Sequence, residues 1–324
     1  MQNVASKEKP HFSDTLGGEL KRGWDDTSRL TQRLESFGIL KQRTQEFITW
    51  AVDAEISRES KAAIKTFRAL DSCGDYLIFR NYLNSKRSRL IGACSCKQHL
   101  LCAFCASRRG VKHSVAYKEK VEELKAQSSN TLDLVFLTFT VKNGESLHET
   151  FTHLQHSMQR ILKQRNNQAR RTLVSETEMA KLTGGVFAYE FKRGSGLNLW
   201  HPHIHMLALL PKHEKIDIQK LKNEWLKITG DSSVINIEYC QNDEPYLEVF
   251  AYALKFSEME HSDRWHAFKT LKGERLISSF GELRGLVIPE SETDDLLDSD
   301  EPFVDDIFKW YANRGYKHLK TLTD

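Results

Sequence analysis

The sequence has little of what marks specialised architectures. Its 324 residues include only 6 prolines, 17 glycines and 6 cysteines, which excludes a collagen-like chain, a proline-rich linker and a disulfide scaffold. Its apolar runs, such as the one around residues 134–139, are much shorter than the ~20 residues that a membrane-spanning helix needs. The first residues have no apolar stretch typical of a secretory signal. These absences predict a soluble, cytoplasmic protein with no membrane partner.

Charge is distributed unevenly along the chain. Residues 290–306 contain nine acids and no lysine or arginine, whereas residues 80–118 contain nine lysines and arginines and no acid. A basic stretch that also carries aromatic residues fits a polyanionic partner such as nucleic acid. A solvated basic face is an equally good interpretation of the charge alone.

Composition and periodicity divide the chain into segments. We predict a mobile N-terminus at 1–30, a helical region at 31–91, a loop-rich, cysteine-rich basic segment at 92–125, a main domain at 131–289, an acidic linker at 290–306 and a C-terminal helix at 307–324.

The main domain alternates between two hydrophobic periods. Strands are predicted at 133–141, 184–192, 201–210 and 233–239, and helices at 145–166, 215–229 and 246–259. This order predicts an α+β fold with a central antiparallel sheet flanked by helices.

Three histidines alternate along one predicted strand, HPHIHMLALL (201–210). Because side chains in a strand point to opposite faces in turn, His201, His203 and His205 share one face and Ile204 and Met206 face the core. Imidazole is the commonest protein ligand for metals, so this face is a candidate metal site. The alternative, three surface histidines by coincidence, is the weaker one.

A hairpin between this strand and the preceding one would add a carboxylate. If residues 193–200 form the turn, Lys192 lies opposite His201 and Glu190 lies opposite His203. Directly opposed Cβ atoms are ~4.5–5.5 Å apart, so Glu190 could complete a three-ligand site. A shift of the register by one or two residues would remove it.

A tyrosine stands in the predicted helix at 246–259. Glu248, Tyr252 and Lys255 are spaced to share one helical face. A tyrosine can attack phosphorus, a neighbouring ammonium favours its phenolate, and a carboxylate can activate water. Taken alone, these three residues are more often part of a solvated amphipathic helix face.

Four of the cysteines crowd together with the spacing C-x-C-x5-C-x2-C, and we predict a zinc site at Cys94, Cys96, Cys102 and Cys105. His99 could replace one of them, and buried or free thiols are the alternative. Cys73 and Cys240 lie apart in the sequence and are expected to be ordinary buried residues. The residues after the cluster that we expect to contact DNA phosphates are Arg108, Arg109 and Lys112.

Three motifs occur together in a fixed order: FLTFTVKN (136–143), HPHIHMLALL (201–210) and EVFAYALKFSE (248–258). In this order they resemble the replication initiator (Rep) proteins of rolling-circle plasmids, specifically the single-tyrosine group of HUH endonucleases. The segment CAFCASRRG (102–110) resembles the cysteine-and-arginine segment that precedes the first motif in that group. The chain departs from the group at Ala103, where proline is frequent, and at Ala251, where lysine is frequent.

This resemblance implies a sheet of the HUH-endonuclease type and a set of roles for its residues. A divalent ion, Mg²⁺ or Mn²⁺, would be held by His203 and His205 with either Glu190 or His201. Tyr252 would nick one DNA strand, leaving a 5′-phosphotyrosine and a free 3′-OH. Glu248 would serve the terminating cleavage and Lys255 would stabilise charge.

The enzyme implied is a DNA nicking-closing endonuclease and strand transferase that works in plasmid DNA replication. Its partners would be plasmid origin DNA, supercoiled or single-stranded at the nick, together with a host helicase and the host replication machinery. One alternative is another HUH enzyme, a transposase or a relaxase, although mobilisation relaxases usually carry the tyrosine before the histidines. A second alternative is a zinc-dependent DNA-binding regulator without chemistry, for which Tyr252→Phe would leave function intact. A small-molecule metallohydrolase is the poorest alternative, because it leaves the basic stretch unexplained.

Overall fold

A computed structural model describes residues 30–169, 177–193, 199–288, 293–294 and 300–322. The predicted mobile N-terminus, but for its last residue, and most of the predicted turn after residue 193 lie outside these ranges. The described chain forms two compact units. Unit 1 comprises residues up to 111 together with 253–257 and 290 onward, and unit 2 comprises 112–252 and 258–289.

The elements are as follows in chain order. The helices are α1 (Leu30–Asp53), α2 (Lys61–Ser72), α3 (Ala103–Gln127), α4 (Leu147–Ala169), α5 (Ile218–Thr229), α6 (Glu244–Phe250), α7 (Tyr252–Phe256) and α8 (His261–Leu271), with short 3₁₀ turns at Ile56–Arg58 and Glu178–Lys181. The strands are β1 (Tyr76–Tyr82), β2 (Ser88–Ala93), β3 (Leu132–Thr140), β4 (Gly184–Arg193), β5 (Trp200–Pro211), β6 (Ile235–Tyr239), β7 (Ile277–Gly281), β8 (Phe303–Tyr311) and β9 (Gly315–Leu322).

Unit 2 is built on a five-stranded antiparallel sheet with the order β6-β3-β5-β4-β7. The predicted α+β fold with a central antiparallel sheet is therefore confirmed. The histidine-bearing strand β5 occupies the middle of this sheet and is hydrogen-bonded to β3 on one side and β4 on the other. Most residues of β3 are buried, in agreement with its nearly continuous apolar sequence.

The two faces of the sheet differ in chemistry. On one face, Ile204 is fully buried and is paired with Phe139 and Tyr189. Phe139 packs edge-to-face on Trp225 of α5, and Tyr189 packs in the same way on Phe151 of α4. This face therefore forms the apolar core of unit 2, and the histidines are left on the opposite face.

Helix α5 shows how local sequence sets the boundaries of an element. Its N-cap Asp217 accepts hydrogen bonds from the amides of Gln219 and Lys220, both at 3.0 Å. Gly230 ends the helix in the left-handed region, at φ 77°, where glycine carries no side-chain penalty. The helix predicted at 215–229 is thus confirmed, with its start at the cap.

The helix predicted at 246–259 is wrong as a single element. It is divided at Ala251, where ψ is −7° and the backbone leaves regular helical geometry, so that α6 ends at Phe250 and α7 starts at Tyr252. The expectation that Glu248, Tyr252 and Lys255 share one helical face assumed an unbroken helix and does not carry over.

Unit 1 combines α1 and α2 with a four-stranded antiparallel sheet of order β2-β1-β8-β9. The predicted helical region at 31–91 contains these two helices, but residues 76–93 form the β1–β2 hairpin. Aromatic side chains from the helix and the sheet meet in its core, where Phe37 stacks on Phe79 and Phe79 meets Phe308 edge-to-face.

The predicted C-terminal helix at 307–324 is wrong, because the segment forms the β8–β9 hairpin. Its turn has Asn313 at φ 64° and Gly315 at φ 69°, and the amide of Arg314 donates to the carbonyl of Tyr311 at 3.1 Å. Left-handed residues are the signature of a hairpin turn, and the flanking β-branched and aromatic residues favour strands over a helix.

The acidic stretch at 290–306 is not simply a linker. Its described residues include the start of β8, where Asp305 makes a bidentate ion pair with Arg80 of β1 at 2.9 Å. Asp294 is bonded to two arginines of the same unit, Arg33 and Arg108. Charge complementarity therefore joins this segment to unit 1, while residues 290–292 and 295–299 lie outside the described ranges.

The cysteine-rich segment is less loop-rich than its composition predicted. Helix α3 begins at Ala103, and the amide of Cys105 donates to the sulfur of Cys102 at 3.5 Å at its start. No helix among the described residues is long and apolar enough to cross a membrane.

Candidate active site

The histidine face of β5 gathers a compact set of metal-ligand types. The strand pairing places Glu190 opposite His203 and Lys192 opposite His201, so the predicted hairpin register is confirmed. Ligand atoms of Glu190, His203 and His205 all lie within 4.8 Å of one another. Two imidazoles and one carboxylate with open positions are a donor set that suits several divalent ions.

The glutamate lies between the two imidazoles. His203 Nε2 is 3.1 Å from Glu190 Oε1, and His205 Nε2 is 3.3 Å from Glu190 Oε2. The Glu190 side chain is 1% exposed, against 14% for His203 and 11% for His205. A carboxylate buried to this degree needs a positive partner, because an isolated buried charge is very unfavourable.

The surroundings of His203 favour the neutral form of its imidazole. Burial lowers the pKa of His203, although the hydrogen bond with Glu190 opposes the shift. A neutral imidazole is the form that binds a metal. Among the described residues, His205 Nε2 is buried without a hydrogen bond, 3.3 Å from Glu190 Oε2.

Two neighbours on β3 orient His205. Thr138 lies directly opposite it, and the Thr138 hydroxyl is 3.3 Å from His205 Nδ1. An Nδ1–H that donates to this hydroxyl leaves the Nε2 lone pair for a metal, an arrangement typical of ligating histidines. The Phe136 ring stacks on the imidazole at 5.4 Å between centroids. Neither residue was predicted, because their roles depend on the β3–β5 register.

Lys192 is a third residue at the site that the sequence pattern did not predict. Its Nζ is 3.1 Å from Glu190 Oε1, and its side chain is 57% exposed. An ammonium on so exposed a side chain can swing away, so a divalent ion can take its place beside the carboxylate. His201 is paired with Lys192 and is not part of the compact set.

Glu248 and Tyr252 lie on either side of the break between α6 and α7. Helix α6 packs against β5 and β4, and Glu248 Oε1 is 3.5 Å from His205 Nε2 with its side chain 41% exposed. Tyr252 is the first residue of α7 and is 6% exposed. Lys255 lies three residues further along α7 and is half-buried.

The cysteines of unit 1 form a second compact set, but with one member exchanged. The set contains Cys73, Cys96, Cys102 and Cys105. The predicted member Cys94 is exposed and stands outside it, while Cys73, expected to be an ordinary buried residue, is inside. Sequence spacing could not reveal this exchange, because Cys73 belongs to an earlier element.

The three residues expected to contact DNA differ in their surroundings. Arg108 is 2% exposed and paired with Asp294, which argues against a direct phosphate contact. Lys112 is 9% exposed. Arg109 is half-buried, and its Nη1 lies 3.1 Å from His99 Nε2.

Comparison with known proteins identifies the class. A family model described as "Replication protein" matches residues 87–309, more than half of the chain. The chain therefore belongs to this replication protein family. Comparison with curated proteins finds no match, and comparison with solved structures finds none either.

Family membership defines the role of the chain at a coarse level. The matched residues include strand β2, both compact ligand sets apart from Cys73, and the tyrosine. The predicted resemblance to rolling-circle plasmid replication initiators is thereby confirmed, and the chain acts in the initiation of plasmid replication.

Proposed function

We propose that this chain initiates rolling-circle replication by nicking one strand of plasmid origin DNA with Tyr252 in a metal-dependent reaction. The observation that carries the proposal is the cluster of Glu190, His203 and His205, which β4 and the central strand β5 hold close to Glu248. Such a cluster has no structural purpose that an apolar triplet would not serve better.

The donor set fits a divalent cation. Glu190 and the Nε2 atoms of His203 and His205 would hold Mg²⁺ or Mn²⁺, and the buried, unbonded Nε2 of His205 is the feature of the described residues that supports this. When bound, the ion would polarise the scissile phosphate and neutralise charge in the transition state.

The nicking step is a phosphoryl transfer to the protein. The Tyr252 oxygen attacks phosphorus in line, the phosphorus–O3′ bond breaks, and the products are a 5′-phosphotyrosine and a free 3′-OH. Because the phenol has a pKa near ~10, Lys255 is assigned to favour its ionised form. Positioning and charge neutralisation supply most of the rate in such transfers.

The terminating step needs a second nucleophile. Glu248 is the exposed carboxylate beside the cluster, at 41% side-chain exposure, and we assign it to activate water. The released 3′-OH would prime leading-strand synthesis by the host replication machinery, after a host helicase opens the duplex. DNA in the origin would be recognised in supercoiled or locally single-stranded form.

The test is a nicking assay on supercoiled plasmid that carries the replicon's own origin, with Mn²⁺ or Mg²⁺. Wild-type protein should give open-circular DNA and a covalent adduct that peptide mass spectrometry maps to Tyr252. Tyr252→Phe should give neither.

A tyrosine in the preceding helix is the matched control. The Tyr246 hydroxyl is buried without a hydrogen bond among the described residues, so Tyr246→Phe should fold and nick normally. Nicking by Tyr252→Phe, or DNA binding without any nick by the wild type in either metal, would overturn the proposal. The second outcome would favour a DNA-binding regulator.

A further inference from the structure

We infer that Cys73, Cys96, Cys102 and Cys105 form a closed structural Zn²⁺ site in unit 1, with Cys73 rather than Cys94 as the fourth ligand. This inference goes beyond the nicking reaction and involves none of its residues. Three different segments supply the sulfurs: the end of α2, the chain after β2 and the start of α3.

The distances between the sulfurs fit a tetrahedral centre. Cys73 Sγ lies 3.5 Å from Cys105 Sγ and 3.4 Å from Cys102 Sγ, and Cys96 Sγ lies 3.7 Å from Cys105 Sγ. Four sulfurs at ~2.3 Å from a zinc ion stand about 3.8 Å from one another. A disulfide needs a much shorter S–S distance, about 2.05 Å, and the six cysteines are free.

Burial separates this set from a catalytic site. Cys105 is fully buried, Cys73 and Cys102 are each 2% exposed, and Cys96 is half-buried. Structural zinc sites are closed in this way, with four protein ligands and no position for water. Four thiols grouped in an apolar interior without an ion would otherwise offer one another only weak hydrogen bonds.

Backbone amides support the sulfurs as they do in thiolate sites. The amide of Cys96 donates to Cys73 Sγ at 3.4 Å, and the amide of Cys105 donates to Cys102 Sγ at 3.5 Å. The start of α3 adds the positive end of its dipole, which favours thiolates at Cys102 and Cys105.

The loop that carries Cys73 is held in place independently. Lys41, 1% exposed, donates to the Cys73 carbonyl at 2.7 Å. The next residue, Gly74, has φ 74°, and its amide donates to the Cys94 carbonyl at 2.8 Å. The backbone of Cys94 thus supports the loop while its exposed side chain stays outside the set.

His99 is not needed as a ligand. Its Nε2 is 3.1 Å from Arg109 Nη1, and burial followed by the Arg109 charge lowers the pKa of the imidazole. A neutral His99 therefore accepts a hydrogen bond from the guanidinium. The four sulfurs form a complete tetrahedral set without it.

The first experiment measures the metal content of the purified full-length chain by elemental mass spectrometry. We expect about one zinc per chain, which Cys73→Ser reduces to a small fraction and Cys94→Ser leaves unchanged. Loss of zinc in Cys94→Ser with retention in Cys73→Ser would overturn the ligand assignment. Iron in place of zinc, or no metal at all, would overturn the zinc site.

A second measurement remains informative if Cys73→Ser fails to fold. Wild-type protein is alkylated with and without a zinc chelator, and each cysteine is quantified by peptide mass spectrometry. The chelator should increase labelling of the four ligands several-fold and leave Cys94 labelled equally in both samples. Equal labelling of Cys73 in the two samples would contradict the site. Neither experiment uses DNA, so failure here is distinguishable from failure of the nicking proposal.

Discussion

The two compact ligand sets, one in each unit, differ in their donors and in their access to solvent. The cysteine set is contributed by three segments and is almost completely buried. The Glu190–histidine set comes from two neighbouring strands and is bordered by side chains that are 57% and 41% exposed, Lys192 and Glu248. Closed sets of soft ligands stabilise folds, whereas open sets with spare positions support chemistry.

This difference separates what each set does for the molecule. Removing a ligand from the closed set should damage the folded state of unit 1. Replacing Glu190 in the open set by glutamine should damage the reaction and leave folding intact, because a buried charge is removed while its partner Lys192 is exposed to solvent.

The largest effect is expected for Cys105→Ser. Loss of a structural metal belongs to the mechanisms that cost more than about 4 kcal/mol in the free energy of unfolding. Urea denaturation of the zinc-loaded protein measures it, with Cys94→Ser as the matched control. A Cys105→Ser variant as stable as that control would remove the distinction between the two sets.

The next largest loss of stability is expected for Asp294→Asn, which tests whether the folding of unit 1 also depends on buried charge. Breaking a buried ion pair typically costs about 3–5 kcal/mol, because Arg108 would keep an uncompensated charge. Asp300→Asn, at an exposed position, is the control. Equal unfolding midpoints for the two variants would show that the ion pair between Asp294 and Arg108 adds nothing to the stability of the fold.

The ion pairs of Asp294 with Arg33 and Arg108 also predict that stability depends on pH. Burial raises the pKa of Asp294, but the charges of Arg108 and Arg33 outweigh it and hold the pKa below its ordinary value. The stabilisation is therefore fully present above the unfolded pKa of about 3.9 and is lost as the pH falls below it. Acid denaturation of wild type should be steeper than that of Asp294→Asn, and parallel curves would contradict this.

Glu190→Gln in unit 2 should have the opposite effect: it should lower the nicking rate and leave stability unchanged. Removing one preorganised electrostatic group typically lowers the rate by about 10²–10³-fold, and unfolding should be unchanged because a buried charge is removed. The assays are nicking and urea denaturation, with exposed Glu238→Gln as the control. A destabilised Glu190→Gln that still nicks would assign the carboxylate to folding.

The smallest effect is expected for Thr138→Val, which removes the hydroxyl beside His205 Nδ1. Partners of ligating histidines are worth about 10–100-fold in metal affinity or activity. The expected result is a raised Mn²⁺ requirement with near-normal activity at saturating metal. Thr140→Val is the control. Thr140 lies on the same strand and the same face as Thr138, but its hydroxyl is hydrogen-bonded to Ser232 rather than to a histidine. An unchanged metal requirement would show that Thr138 only fills space.

Sequence patterns were sufficient where the relevant residues are local. The alternation in HPHIHMLALL predicted which histidines share a face, and the assumed length of the hairpin turn predicted that Glu190 lies opposite His203. The strand pairing agrees with both predictions. They failed where partners are distant in the chain. Cys73 joins the cysteine set from an earlier helix, and no spacing within residues 94–105 points to it.

Charge patterns were incomplete for a related reason. The acid-free stretch at 80–118 predicted a polyanionic partner or a solvated face, and neither interpretation included the ion pairs of Arg80 and Arg108 with Asp305 and Asp294 of the acidic stretch. Long-range pairing of opposite charges leaves no periodicity in a sequence. The β8–β9 hairpin was also missed, although Asn313 and Gly315 marked its turn.

The central position of β5 affects how the site responds to fluctuations. A strand bonded on both sides exchanges its amide hydrogens only when a large part of the sheet opens, whereas outer strands such as β6 and β7 open more easily. The spacing of His203 and His205 should therefore persist while the outer strands β6 and β7 open and close locally. Substitutions in the outer strands would then leave the spacing of the two histidines unchanged.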